Sequence, residues 1–201
     1  MNRKFITATI ACWVLVLIQV FGKIPDLREG DIVFSSSSRG QGGPIMAATQ
    51  SLYTHCGIVF EKDNKLMVLE AVQPVGVIEL ETFISRSQPG TFTARRLKTV
   101  VSPEGLIRGR EWAAAQVGKS YDGKFLWDDD SLYCSELVWK IYRRAGVELC
   151  PLRRFKDYDL KNPKVKDLII ARYGSMDKLP LEERVVAPSD LAASPLLVDA
   201  K

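Results

Sequence analysis

Three side chains that could perform acyl transfer together are widely separated in this chain of 201 residues. Cys134 lies in SLYCSELVWK, His55 in YTHCGIVF and Glu70 in VLEAV. A thiolate, an imidazole and a carboxylate supply a nucleophile, a base and a group that orients the base, which is the logic of cysteine hydrolases. The residue types therefore predict a catalytic triad of Cys134, His55 and Glu70, provided that the fold brings them together.

Cys134 is predicted to lie in the first turn of an amphipathic helix, DSLYCSELVWKIYRRAG, with Asp130 or Ser131 as the N-cap and Gly146 as the stop. Unpaired backbone N–H groups and the helix dipole favour a thiolate at this position. The Cys134 backbone amide would then be an oxyanion donor. The alternative is a structural cysteine, because cysteines are often buried.

His55 is the single histidine, and it begins a predicted β-hairpin, HCGIVFEKDNKLMVLEAV, that ends near Glu70. If the turn centres on Lys62-Asp63, His55 lies directly opposite Glu70. If it centres on Asp63-Asn64, the two residues are diagonal neighbours. Either register places the two side chains within reach on one face of the hairpin. A structural histidine and an exposed strand-end glutamate are the alternatives.

The remaining cysteines predict no metal site. Cys56 alternates with His55 along the strand, so it is expected to face away from His55 into the core. Cys12 lies near the N-terminus, which leaves three cysteines in the remainder of the chain and at least one free thiol. No Cys-x-x-Cys pair occurs, and one histidine is too few for common zinc sites. We therefore predict no metal and no cofactor.

The first 22 residues have the layout of an export signal. A basic start is followed by a weakly polar to apolar run that ends at Phe21-Gly22. The alternative is an uncleaved N-terminal membrane anchor, although the run is slightly short for a span. The sequence thus predicts a signal peptide or anchor at 1–22, a single domain at 23–201, and a periplasmic protein or one anchored in the inner membrane facing the periplasm.

Composition indicates an ordinary globular domain. Hydrophobic residues make up 46% of the chain and charged residues 26%, with a formal net charge of +4. A net charge this small does not indicate a basic surface for binding nucleic acid. Predicted strands cluster in the first half, including GVIELETFI and GTFTARRLKTV, whereas predicted helices cluster in the second half, including one that begins at Ser102-Pro103. This order predicts an α+β domain with an antiparallel sheet.

Several separated motifs also resemble those of one family, in the same order: EGDIVF, YTHCGIVF, VLEAVQPVGV, GKSYD, DDDSLYCSELVWKIY and PLEERVVAPSDL. The chain from Gly30 to Leu197 resembles the permuted papain-like amidases of the YaeF/YiiX type, which are NlpC-type cysteine hydrolases. In ordinary papain-like enzymes the cysteine precedes the histidine, and here the order is reversed, as in the permuted family. The resemblance implies a circularly permuted papain-like fold. In that fold a helix bearing Cys134 packs against a barrel-like antiparallel sheet bearing His55 and Glu70.

Four further residues are candidates for substrate binding. Tyr53 and Tyr121 could contact a carbonyl oxygen, although core packing is the commoner role of such aromatic residues. Asp128 and Asp129 could recognise a substrate amine, and the alternative for this acidic run is local capping of the helix.

Three functions fit this sequence. The first is an exported cysteine amidase that cleaves peptide-like bonds in envelope peptides, such as peptidoglycan fragments. The second is a thioesterase or acyltransferase that acts on lipid-linked acyl groups, which a retained N-terminal anchor would favour. The third is a non-catalytic cell-wall-binding domain, against which the intact set of Cys134, His55 and Glu70 argues, because binding needs no thiolate.

Overall fold

The computed structural model describes residues 25–37 and 40–200. The predicted signal peptide or anchor at 1–22 lies outside the described residues and stays a prediction. Within the described ranges, no helix is both long enough and apolar enough to cross a membrane.

The described residues form a central sheet of six strands: β1 Ile32–Ser35, β2 His55–Lys62, β3 Lys65–Ala71, β4 Val75–Glu79, β5 Thr93–Leu97 and β8 Leu197–Asp199. Their order is β4-β3-β2-β1-β5-β8, and all neighbours are antiparallel. The mixed α and β content with an antiparallel sheet confirms that part of the predicted fold class. No pairing of β4 with β8 occurs among the described residues, and barrel-like closure stays a prediction.

The predicted hairpin is formed by β2 and β3 and turns at Asp63-Asn64. Both turn residues have positive φ, 53° and 60°, as a two-residue type I′ turn requires, and Asp and Asn tolerate this conformation well. Lys62 pairs with Lys65, and the register then places Gly57 opposite Glu70. His55 and Glu70 are therefore diagonal neighbours, as one of the two predicted registers requires.

The described part of the chain also contains six α-helices and a two-stranded ladder that is separate from the main sheet. The ladder pairs β6 Arg153–Arg154 with β7 Arg184–Val185, and single 3₁₀ turns occur at Phe155–Asp157 and Met176–Lys178. The helices are α1 Gly42–Thr49, α2 Leu80–Arg86, α3 Pro103–Ala114, α4 Cys134–Arg144, α5 Pro163–Tyr173 and α6 Pro188–Ala192.

The predicted start of α3 is confirmed. The Ser102 hydroxyl accepts a hydrogen bond from the N–H of Gly105 at 3.1 Å, and Pro103 occupies the first turn. A Cβ atom at Gly105 would lie 2.4 Å from the carbonyl oxygen of Ala145, so this glycine permits α3 to approach the C-terminal end of α4.

The predicted cap of α4 is wrong. The helix begins at Cys134 with Tyr133 at the N-cap position, where the Glu136 carboxylate accepts from the Tyr133 N–H at 3.3 Å. Asp130 and Ser131 instead belong to a preceding turn, in which both of their N–H groups donate to the side chain of Asp128.

The prediction that GVIELETFI is strand or strand and turn holds only for its first part. The chain leaves β4 at Glu79 and forms α2, because Leu80 and Phe83, three residues apart, are both buried by the sheet. Apolar alternation in so short a segment fits either structure, and tertiary burial decides for the helix.

The two faces of the sheet have separate cores. Cys56 and Phe34 pack with Leu137 and Ile141 of α4 in the larger core. Val59, Val33 and Val68 pack with Leu80 and Phe83 of α2 in the smaller core. Successive residues of β2 therefore face different helices, which places His55 on the α2 side and Cys56 on the α4 side by parity.

Candidate active site

His55 and Glu70 form the first contact of the site. Nε2 of His55 lies 2.6 Å from Oε2 of Glu70, and the Glu70 side chain is only 1% exposed. Glu70 pairs with a glycine on each neighbouring strand, Gly57 on β2 and Gly76 on β4. Gly57 places no side chain beside Glu70 on the diagonal towards His55, where a Cβ atom would be in van der Waals contact with the Cβ of Glu70 at 3.5 Å.

Helix α2 supports this pair from the outer side. The ring of Phe83 stacks on that of His55 with centroids 5.6 Å apart. Nη1 of Arg86 lies 2.8 Å from Oε1 of Glu70, so the two carboxylate oxygens have separate partners. Sequence reasoning missed Phe83 because GVIELETFI resembled a strand, and it made no prediction for Arg86. Their spacing of three residues, which places them on one helical face, was the signal that could have identified them.

Cys134 is the first residue of α4, as the predicted first-turn placement requires. The thiol of Cys56 donates a hydrogen bond to the Cys134 sulfur and lowers the pKa of Cys134 well below its usual range. Burial opposes this shift, and the charge of His55 and its hydrogen bond to the sulfur add to it. A thiolate at the start of a helix is thereby favoured at neutral pH.

The His55 ring is held in its charged form. Burial alone would lower the pKa of His55, but the Cys134 thiolate and the Glu70 carboxylate together raise it to about 10. Since Nε2 faces Glu70, Nδ1 is the ring nitrogen available to the Cys134 sulfur. His55 is the first residue of β2, so its ring can meet the start of α4 although the parity of the strand assigns it to the other face.

Cys56 lies in the core, as predicted. It is fully buried in the cluster that contains Cys134 and Leu137, and burial raises the pKa of its thiol well above the usual value. A protonated thiol beside a thiolate is a hydrogen-bond donor, so Cys56 contributes to the site through the Cys134 sulfur. Sequence reasoning gave Cys56 no part in tuning Cys134. Cys150 is also buried and forms no disulfide bond with another cysteine of the described residues.

An apolar groove opens beside Cys134. Helices α1 and α5 supply two of its walls, and the chain around β7 and the start of α6 supplies a third. Aliphatic and aromatic side chains cover almost the whole lining, among them Ile45, Ala48, Phe155, Leu160, Ile169 and Leu179. Sequence reasoning did not anticipate this groove.

Comparison with known proteins adds to this geometry. Residues 26–198 match the family model described as permuted papain-like amidase enzyme, YaeF/YiiX, C92 family. The uncharacterized protein YiiX of Escherichia coli strain K12 is 36% identical over 184 residues, which cover 91% of this chain and 89% of YiiX. The chain belongs to the permuted papain-like amidase family. The order of His55 and Glu70 before Cys134 agrees with the permutation in the family's name.

A solved structure resembles this chain along most of its length. The crystal structure of the metalloprotein YiiX from Escherichia coli O157:H7 superposes with a TM-score of 0.80 at 36% identity. The match covers 87% of this chain and 96% of that one. In residues 25–37 and 40–200 of this chain, no three His, Cys, Asp or Glu side chains are grouped to hold a metal ion. The described side chains therefore do not fit a metal centre, and no step of the chemistry below uses one.

The two tyrosine candidates for substrate binding differ in position. Tyr121 lines the groove together with Cys134, and burial and the Cys134 thiolate raise the pKa of its hydroxyl group. Tyr53 packs on Phe34 with ring centroids 5.3 Å apart and does not line the groove. Its contacts are those of the core-packing alternative.

The two aspartate candidates lie on a separate surface beside Trp127 and Lys140. The Asp128 side chain accepts hydrogen bonds from the turn before α4. Asp129 lies 2.8 Å from Nζ of Lys140, and this hydrogen bond lowers the pKa of the Asp129 carboxyl. Their contact with a substrate amine stays a prediction.

Proposed function

We propose that the protein is a cysteine hydrolase that cleaves amide bonds by acyl transfer through Cys134, His55 and Glu70. The observation that carries this proposal is the mutual effect of the three groups. A thiolate is favoured at Cys134, an imidazolium at His55, and a carboxylate lies 2.6 Å from the ring. A non-catalytic binding domain needs none of these features.

The reaction has two halves. The Cys134 thiolate attacks the substrate carbonyl, and the backbone N–H at the start of α4 stabilises the oxyanion of the tetrahedral intermediate. His55 then gives its proton to the leaving amine, the carbon–nitrogen bond breaks, and a thioester to Cys134 remains. Neutral His55 next removes a proton from water, which attacks the thioester and releases the acid. Glu70 holds the ring orientation throughout.

The groove favours a second candidate for the bond that is cleaved. A lining made almost entirely of apolar side chains buries hydrocarbon well and peptide poorly, because unpaired amide groups are costly in such surroundings. A thioesterase or acyltransferase acting on lipid-linked acyl groups uses the same triad with a different leaving group. An amide substrate also fits if its acyl part is a hydrocarbon chain.

The proposed setting is the bacterial cell envelope, with the protein exported or anchored by residues 1–22. The support for this part is the basic and apolar pattern of those residues, and the substrates in this setting are envelope peptides or membrane-derived acyl compounds.

One experiment tests the proposal and separates the candidates. The full chain and its Cys134→Ala variant are incubated with envelope peptides and, separately, with lipid extracts, and products are identified by mass spectrometry. Synthetic decanoyl amide and decanoyl thioester substrates are assayed in parallel. We expect products with the wild type and none with Cys134→Ala. Products from the peptides would identify an amidase, and products from the lipid extracts would identify a thioesterase or acyltransferase. Equal turnover by Cys134→Ala would overturn the mechanism.

A further inference from the structure

A guanidinium group in the wall of the groove has one nitrogen without a partner. Arg172 lies on α5 and lines the groove together with Cys134 and Tyr121. Its Nη1 atom is buried and has no hydrogen-bond partner among the residues that the structure describes. A cationic N–H group without a hydrogen bond costs more free energy in an apolar groove than in water, where solvent supplies the acceptor. Nη1 of Arg172 therefore differs from the guanidinium nitrogens of an ordinary surface arginine.

The other contacts of Arg172 hold the group in place. Its Nη2 atom donates to Oε1 of Gln41, and Nε2 of Gln41 donates to the hydroxyl oxygen of Tyr121 at 2.6 Å. The guanidinium also lies over the ring of Phe125, 4.7 Å from its centroid. These contacts fix the plane of the guanidinium and leave Nη1 as the free donor.

No carboxylate of the described residues forms a close ion pair with this cation, although the charge of Asp122 acts to raise its pKa. Two other buried or half-buried arginines have a carboxylate partner: Arg96 pairs with Asp31 at 2.7 Å, and Arg153 approaches Asp190 at 3.4 Å. Across residues 25–37 and 40–200, no such ion pair occurs at Arg172. The two oxygens of Asp122 accept from the backbone N–H groups of Lys124 and Leu126 and not from Arg172. Burial has the larger effect and lowers the pKa of Arg172 from its usual value.

We propose that Arg172 is an anion-binding subsite that holds an anionic oxygen of the substrate at the Cys134 end of the apolar groove. The ligand class is an amphiphile with a hydrocarbon chain and a carboxylate or phosphate group. The chain occupies the apolar lining, and the anionic oxygen accepts from Nη1 of Arg172. Tyr121 lies near both Cys134 and Arg172, since each of them shifts the pKa of its hydroxyl group, and it connects the subsite to the reacting sulfur.

This inference rests on the proposed function for its reaction, but it is tested by binding alone. The full chain is titrated calorimetrically with three probes that share one hydrocarbon chain: decanoate, decyl phosphate and decanol. We expect at least one of the two anions to bind at least about tenfold more tightly than decanol, which corresponds to about 1.4 kcal/mol. Preference for decanoate alone identifies a carboxylate, and preference for decyl phosphate alone identifies a phosphate group.

Three variants complete the test. Arg172→Gln should remove the anion preference and leave the affinity for decanol unchanged, which also shows that the groove is still folded. Arg172→Lys should keep part of the preference. Arg153→Gln is the matched control, because Arg153 also stacks on a groove aromatic, Tyr158, at 4.2 Å but has a carboxylate partner.

Three results would overturn the subsite: no probe binds the wild type, all three bind equally, or Arg172→Gln keeps the anion preference. Loss of the preference in Arg153→Gln to the same extent would also overturn it, because a general charge effect would then be responsible. Turnover is measured separately on the same proteins. An anion preference without any hydrolysis would refute the proposed function and support the subsite. Hydrolysis without an anion preference would support the proposed function and refute the subsite.

Discussion

At the scale of single residues, the site depends on the order of its hydrogen bonds. Cys56 donates to the Cys134 sulfur, His55 lies between that sulfur and Glu70, and Arg86 takes the far oxygen of Glu70. Each donor faces an acceptor, so both charged forms of the Cys134–His55 pair are stabilised at once. Removal of one member should therefore change the ionisation of its neighbours before it changes the fold.

The pH dependence of alkylation should report this coupling. Because the pKa of Cys134 is lowered, its thiolate persists at pH values at which a free thiol is protonated, and iodoacetamide should react rapidly with it below neutrality. Cys56→Ala and His55→Ala should each move the midpoint of the alkylation rate to higher pH. The measurement is the rate of Cys134 modification by mass spectrometry, with Cys150→Ala as the control.

Two results would contradict this account: preferential labelling of Cys56 or Cys150, or an unchanged midpoint in both variants. In the wild type, hydrolysis should also fall as the pH rises through about 10, where His55 loses its proton.

Glu70→Gln should slow turnover roughly a hundredfold or more and change KM little, because an amide can no longer stabilise the imidazolium or fix its tautomer as a carboxylate does. Steady-state kinetics with a short acyl thioester would measure both constants. Glu79→Gln is the control, since Glu79 makes only an exposed ion pair with Lys65 at 3.5 Å. If the two variants turn over equally fast, Glu70 has no part in the mechanism.

At the scale of elements, the β2–β3 hairpin depends on a glycine that faces the site. A Cβ atom at Gly57 would lie 2.5 Å from Cγ1 of Val68 and 2.9 Å from the carbonyl oxygen of Leu69. The strands cannot accept it without moving apart, and the displacement would fall beside Glu70. The sequence shows this glycine directly after the His55-Cys56 pair, but only the register shows what it lies against.

Gly57→Ala should therefore destabilise the protein by about 1–3 kcal/mol, as overpacking typically does, and reduce activity further by displacing Glu70. Urea unfolding and steady-state rates would measure the two effects. Gly76→Ala is a matched control on the opposite side of Glu70, because a Cβ atom there meets only the carbonyl oxygen of Pro74 at 3.7 Å. Equal loss of stability in both variants would show that glycine flexibility, and not the close approach, is responsible.

Some helices and strands could be predicted from the sequence, and others could not. The hairpin and the start of α3 could be predicted, because Asp63-Asn64 and Ser102-Pro103 carry local signals for a turn and a cap. The start of α4 and the whole of α2 could not. Helix α4 begins at Cys134, where the Glu136 carboxylate accepts from the backbone before the helix, although Asp130 and Ser131 are stronger cap residues by type. Helix α2 forms because the sheet buries Leu80 and Phe83.

At the scale of the whole molecule, the groove is assembled from distant parts of the chain. Helix α1, helix α5 and the segment around β7 contribute walls that no local pattern connects. The triad residues could be named from their types and from the family resemblance. The apolar lining and the position of Arg172 could not, because both depend on how helices far apart in sequence pack together.

Blocking the groove should change which acyl chains are accepted. Ala48 lines it from α1, and Ala48→Phe should fill part of the apolar space. Hydrolysis of a decanoyl ester should then fall roughly tenfold or more, since several buried methylene groups lose their contacts, whereas a butyryl ester should be unaffected. The ratio of kcat/KM for the two esters is the measurement.

Ala114→Phe is the control for this experiment, because Ala114 is exposed near the end of α3 and outside the groove. An unchanged ratio in Ala48→Phe would mean that the acyl chain binds elsewhere.

The four groups that run from the sulfur of Cys134 through His55 and Glu70 to Arg86 carry alternating signs: negative, positive, negative, positive. Their sum is zero, and the field of such a neutral row decays over a short distance because each charge offsets its neighbour. Only the last member, Arg86, is substantially exposed to solvent. A molecule in bulk water therefore experiences little of the field of these four groups, and a carbonyl group must lie over the Cys134 sulfur to experience their full polarity.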